Sequence, residues 1–134
     1  NFSLGTVSVE KRLNEANDRT TFFAMIETSE GLNNVEEIAF TPGVDCLWIG
    51  HFDLSASLGI PGKFEHPTYI EAVTHICETA KKHNRSLGQL INSISEGKTV
   101  LAKEYDFICY GTDTSIYQRA LLEGISELRR AVEN

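Results

Sequence analysis

Four short apolar runs, each followed by an amphipathic stretch, constrain the fold of this chain more than any other feature. The runs are 20–28 (TTFFAMIET), 44–50 (VDCLWIG), 85–91 (RSLGQLI) and 106–111 (DFICYG). Each is too short for an ordinary helix and is bounded by turn residues, so each is predicted to be a buried strand. Helical spacing marks 29–40, 69–82, 93–105 and 113–132, with Ser93 and Glu96 forming a predicted capping box. A further helix is predicted over 7–17. Strands that are apolar along their length and separated by helices imply a parallel sheet covered by helices, an α/β fold. At 134 residues the length suits one domain.

Composition narrows the partners. Net charge is −7, and the twelve Lys and Arg residues are scattered, whereas nucleic acid or an anionic membrane would select a basic patch. Neither is expected as a partner. No apolar run is long enough to span a bilayer, and no signal-peptide pattern stands at the start. Three cysteines, Cys46, Cys77 and Cys109, lack CxxC spacing. Cys46 and Cys109 lie inside strand-like runs, so buried free thiols in a reducing compartment are expected, which places the protein in the cytoplasm. The sequence opens on Asn1 rather than Met, which suggests a processed precursor or a fragment.

In parallel α/β architectures ligands lie beyond the C-terminal ends of the strands. That rule singles out 27–29, 50–53, 91–93 and 111–113, and two of these stretches carry an acid just past an apolar run. Glu27 shares strand parity with Phe23 and Met25, so the three face one side. Its residue type suits a helix N-cap, a salt-bridged structural acid or a metal ligand. Asp53 suits the N-cap of a short turn over 54–58, or a second ligand. Two carboxylates from neighbouring strand ends offer hard oxygen donors that favour Mg²⁺ or Mn²⁺ over zinc. The histidines are too dispersed to form a metal cluster. His66, His75 and His83 read as surface or capping residues, and His51, beside Asp53, reads as a supporting or substrate-contacting residue.

The stretch 24–59, AMIETSEGLNNVEEIAFTPGVDCLWIGHFDLSASLG, resembles the HpcH/HpaI aldolases, the class II pyruvate aldolases. The likeness rests on a strand ending in IE followed by GVDxxxIGxxDLSxxxG, and continues through GIPGKFEHP and FICYGTDTSIYQRA. The combination is specific for the superfamily, which includes citrate lyase β-subunits, and less so for one substrate. The resemblance implies a TIM-type (β/α)8 barrel in which residues 1–134 form the C-terminal half, strands five to eight. It implies Glu27 and Asp53 as ligands of a divalent metal, Mg²⁺, Mn²⁺ or Co²⁺. It places the carboxylate of pyruvate, a 2-oxo acid, against the turn of Gly50, His51, Phe52 and Asp53, on backbone N–H groups near Phe52 and Asp53. The implied reaction is reversible aldol cleavage of a 4-hydroxy-2-oxo acid to pyruvate and an aldehyde.

Two departures stand out. Met25 occupies a position where many members have Gln, and His51-Phe52 replaces a common Pro-Ala. The family's general-base histidine and substrate arginine come from earlier strands and have no counterpart here. An N-terminal half-barrel is therefore an expected partner, as is a homo-oligomer, and the isolated chain is expected to be inactive or nearly so. Rival readings are a citrate-lyase or malyl-CoA-type lyase and a non-catalytic half-barrel module.

Overall fold

The structure is a computed structural model that describes residues 8–133. Val7, where the first predicted helix begins, lies outside the described residues. The chain divides into two compact units, residues 1–87 and 88–134.

The first unit begins with α1 (Val9–Asn17), capped by Ser8, whose hydroxyl accepts from Lys11 N at 3.2 Å. Strand β1 (Phe23–Ile26) follows, then α2 (Ser29–Asn33), α3 (Val35–Phe40), β2 (Cys46–Ile49), α4 (His51–Ser57) and α5 (Pro67–Lys82). The two strands are parallel and in register, Phe23 opposite Cys46 through Ile26 opposite Ile49. Ile26, Val35, Ala39, Leu47, Ile49, Leu54 and Ile76 have no exposed surface and form the core of this unit. Strand β2 is buried on both faces except at Trp48, which meets Phe23 edge-on at 5.9 Å.

The single helix predicted over 29–40 is two helices. Asn34 turns its side-chain amide back to the Glu30 carbonyl at 2.9 Å and leaves helical geometry, so α2 ends and α3 begins there. A polar clasp then ties α3 to the end of α5. Glu36 accepts from Lys82 Nζ at 2.9 and 3.0 Å and pairs with His83 Nε2 at 2.6 Å. These bonds, His83 first and Lys82 second, draw the Glu36 carboxyl down to about 2. Arg85 Nε donates to the Ala39 carbonyl at 2.8 Å, which satisfies the C-terminus of α3.

Strand β3 (Ser86–Ile91) starts in the first unit, where Ser86 N donates to Asp45 O at 3.0 Å, and runs into the second. The second unit adds α6 (Ile94–Leu101), β4 (Phe107–Tyr110) and α7 (Asp113–Glu133). Strands β3 and β4 pair in parallel, Gly88 opposite Phe107 through Ile91 opposite Tyr110. The capping box at α6 forms in a shifted version. Ser93 Oγ accepts from Glu96 N at 3.1 Å, while Glu96 Oε2 accepts from Asn92 N at 2.8 Å, one residue before the cap.

The two parallel pairs, each strand followed by a helix, give the expected α/β class. Burial departs from expectation at one cysteine. Cys46 is buried, but Cys109 is exposed, because both faces of β4 remain largely open. The apolar stripe of α7 is open too: Tyr117, Leu121, Ile125, Leu128 and Val132 are all exposed. No helix among the described residues is long and apolar enough to cross a membrane.

Candidate metal centre at the ends of two parallel strands

All the residues singled out at 27 and 50–53 belong to the first unit. Register places them at one end: Ile26 faces Ile49, so the chain leaves β1 at Glu27 and β2 at Gly50 side by side. Gly50 N donates to Ile26 O at 3.1 Å, extending the ladder one step beyond the strands. The expected parity holds. Ile26 points into the core, whereas Met25 is half-exposed, and Met25 and Glu27 both approach Gly50 from the same side.

Asp53 is not an N-cap. Helix α4 begins three residues earlier than the expected turn, with Gly50 as its cap, and Asp53 is the third helical residue. The first intrahelical bond runs from Leu54 N to Gly50 O at 2.8 Å. The N–H groups of residues 51–53 therefore have no carbonyl acceptor within the helix, and Gly50 has no side chain to offer one. An acid in the first turn is favoured by the partial positive charge there. The next two residues anchor the helix. Leu54 is fully buried, and Ser55, also fully buried, donates to Phe52 O at 2.7 Å and accepts from Gly62 N at 2.9 Å.

A second set of bonds joins the segments that carry the two acids. Just after Glu27, Thr28 caps α2 by accepting from Gly31 N at 2.9 Å. Ser29 N donates to Ser57 Oγ, and Ser29 Oγ donates to Ser57 O, both at 2.8 Å. The start of α2 is thus fastened to the end of α4. Sequence reasoning held Ser29 only as part of the 27–29 strand end, without its tie to Ser57, and gave no role to Ser55 or Ser57. Ser55 is visible as the last letter of the DLS motif, but the bonds between Ser29 and Ser57 join residues 28 apart in the chain and leave no local signal.

Neither the Glu27 side chain, half-buried, nor the Asp53 side chain, exposed, makes a hydrogen bond or ion pair among the described residues. Asp45, at the opposite end of β2, differs: its carboxylate accepts from Phe22 N at 2.7 Å and is a structural acid. His51 is buried and packs on Phe52 and Phe64, with ring centroids 4.4 and 5.4 Å away. Phe52 is 55% exposed and meets Phe64 edge-on at 5.3 Å, so an aromatic wall stands beside the acid-bearing turn. His66 caps α5, its Nδ1 accepting from Thr68 N at 3.2 Å, and His83 belongs to the Glu36 clasp.

The donor set suits a hard cation only in part. Among the described residues no three His, Cys, Asp or Glu side chains converge on one point. Two carboxylates with open positions match the habit of Mg²⁺, which keeps several waters and takes one or two carboxylates plus oxygens from its substrate.

The sequence profile described as HpcH/HpaI aldolase/citrate lyase matches residues 5–120. The chain belongs to this family. It is 33% identical over 106 residues to the 5-keto-4-deoxy-D-glucarate aldolase of Shigella boydii, a match covering 79% of this chain and 41% of that enzyme. It is 29% identical over 122 residues to the hydroxypyruvate/pyruvate aldolase of Chromohalobacter salexigens, covering 91% and 48% respectively. Among solved structures, an HpcH/HpaI aldolase/citrate lyase family protein from Burkholderia cenocepacia superposes with a TM-score of 0.80 at 32% identity, over 87% of this chain and 46% of that one. The citrate synthase SbnG superposes with a TM-score of 0.83 at 25% identity, over 94% and 51%. The chain thus spans about half the length of the relatives it matches.

Proposed function

We propose that this chain carries the metal-binding part of a divalent-metal-dependent carbon–carbon lyase, acting by reversible aldol cleavage of a 4-hydroxy-2-oxo acid to pyruvate and an aldehyde. The observation that carries this reading is the in-register pairing of β1 with β2, which brings Glu27 and the Gly50–Asp53 turn out at the same strand end. The aldolase names of two relatives support the reaction class. Within this reading the chain supplies strands five to eight of a (β/α)8 barrel, and an N-terminal half-barrel and further copies of the protein are its partners.

Glu27 and Asp53 would hold Mg²⁺, Mn²⁺ or Co²⁺ through their carboxylate oxygens, which no other described group engages. When bound, such an ion supplies Lewis acidity that stabilises negative charge developing on a ketone oxygen, an effect worth several kcal/mol. The chain's own residues bind and orient the rest. Helix α4 offers uncapped N–H groups at Phe52 and Asp53 for a carboxylate, a polarity that the helix dipole reinforces. Gly50 keeps side-chain bulk away from this turn, and buried His51 braces the Phe52 ring that borders it.

A Mn²⁺ titration followed by electron paramagnetic resonance tests the reading. The wild-type chain should bind Mn²⁺, and Glu27→Gln and Asp53→Asn should each weaken binding by about tenfold or more, roughly 1.4 kcal/mol. Equal affinity in all three proteins would support the rival, a non-catalytic module.

A further inference from the structure

Gly50 lies at the junction of β2 and α4 with φ −83° and ψ 72°. An L-residue adopts such a backbone without difficulty, so conformation alone does not call for glycine here. Space does. A Cβ on residue 50 would stand 2.7 Å from the Cβ of Glu27, with Met25 Cγ and Sδ each at 3.4 Å. The methionine contacts are ordinary van der Waals distances, but two carbons at 2.7 Å overlap heavily.

Which atom is struck decides the consequence. At Gly97 an added Cβ would also come within 2.7 Å of a carbon, but that carbon is Ile91 Cδ1, the free end of a flexible side chain. Glu27 Cβ is bonded directly to the backbone, so no change of rotamer moves it. Relief requires the tip of β1 or the Gly50 junction itself to shift. The junction is pinned through Leu54, whose N–H donates to Gly50 O and whose side chain is fully buried, and the tip is held on both sides. Ile26 is fully buried and receives the bond from Gly50 N, and Ser29 is tied twice to Ser57.

We propose that Gly50 is a positioning residue: its missing side chain sets where Glu27 stands, and any larger residue displaces the Glu27 carboxylate. The steric part stands on the backbone geometry alone, while its consequence for metal binding rests on the function proposed above.

A double-mutant cycle separates the two. Thermal unfolding is measured for the wild-type chain, Gly50→Ala, Glu27→Gly and the double variant. Gly50→Ala should lower the midpoint in the wild-type background and have little effect once Glu27 has lost its Cβ. Additive shifts would overturn the proposal. If Gly50→Ala does not fold, recovery of a folded double variant supports the proposal and its failure to fold overturns it. In parallel, Mn²⁺ affinity of a folded Gly50→Ala chain should fall by about tenfold or more, the range seen when the residues supporting a ligand are altered. Gly124→Ala, which meets nothing within 4 Å among the described residues and lies inside α7, should leave Mn²⁺ affinity unchanged and should not lower the midpoint, since alanine is the better helix former. Unaltered Mn²⁺ affinity in Gly50→Ala would overturn the functional role. A wild-type chain that binds no Mn²⁺ would instead refute the metal reading and the functional role with it, and the cycle would still decide the contact.

Discussion

Leu54→Ala probes how the Asp53 turn is held. Helix α4 has seven residues, well below the roughly 12–15 that an isolated helix needs in water. Packing must therefore stabilise it, and it buries His51, Leu54 and Ser55, with Leu54 its one large aliphatic contact. Truncating a fully buried leucine to alanine costs about 2.7–5 kcal/mol, the lost transfer energy plus the cavity left behind. That is a large share of the about 5–15 kcal/mol that holds a typical domain together. Ile70→Ala on α5 is the control, since Ile70 is 51% exposed and should change stability by no more than about 0.5 kcal/mol. Urea unfolding measures both. Because Asp53 precedes Leu54, the same truncation should also weaken Mn²⁺ binding. A loss below about 1 kcal/mol, or one matching the Ile70 control, would refute the reasoning that burial of Leu54 supports α4.

The Glu36 clasp should make the chain acid-sensitive in a defined window. Its folded carboxyl is drawn down to about 2 from an ordinary 4.5, so its contribution is complete above about pH 4.5 and is lost as pH falls towards 2. Urea midpoints of wild type and Glu36→Gln should differ at pH 6 and converge near pH 2; a constant difference across that range would exclude the clasp as the cause. Thr79, on α5, has a buried hydroxyl with no hydrogen-bond partner among the described residues. Thr79→Val keeps the shape and removes that group, so it should raise stability by about 1 kcal/mol in the same assay; a loss would show that the hydroxyl is satisfied in solution.

Some of this was legible in the sequence. The IE ending of β1 put Glu27 past an apolar run, and parity alone placed it with Met25. The resemblance then gave Glu27 and Asp53 roles that residue type had left open among several. Other features were not legible, for physical reasons. The start of α4 carries no sequence signal because Gly50 caps it without a capping side chain, whereas Asp53 is a residue type that favours caps. The break at Asn34 depends on a side chain competing with the helix for a carbonyl, which apolar spacing does not record. Cys109 sits in a run as apolar as that of Cys46, but burial needs a covering layer, and β4 is largely open. The contacts that assemble the site join residues more than twenty positions apart, Gly50 against Glu27 and Ser29 against Ser57. Distances of that kind are set by strand register, and register is decided in three dimensions.

The most direct test of the metal centre is to map where Mn²⁺ binds. In a ¹⁵N-labelled chain, substoichiometric Mn²⁺ should selectively broaden the amide signals of residues 27–28 and 50–54, and excess Mg²⁺ should restore them. Broadening centred elsewhere, for example at the Glu36 clasp, or spread evenly over the acidic surface, would contradict a metal centre at Glu27 and Asp53.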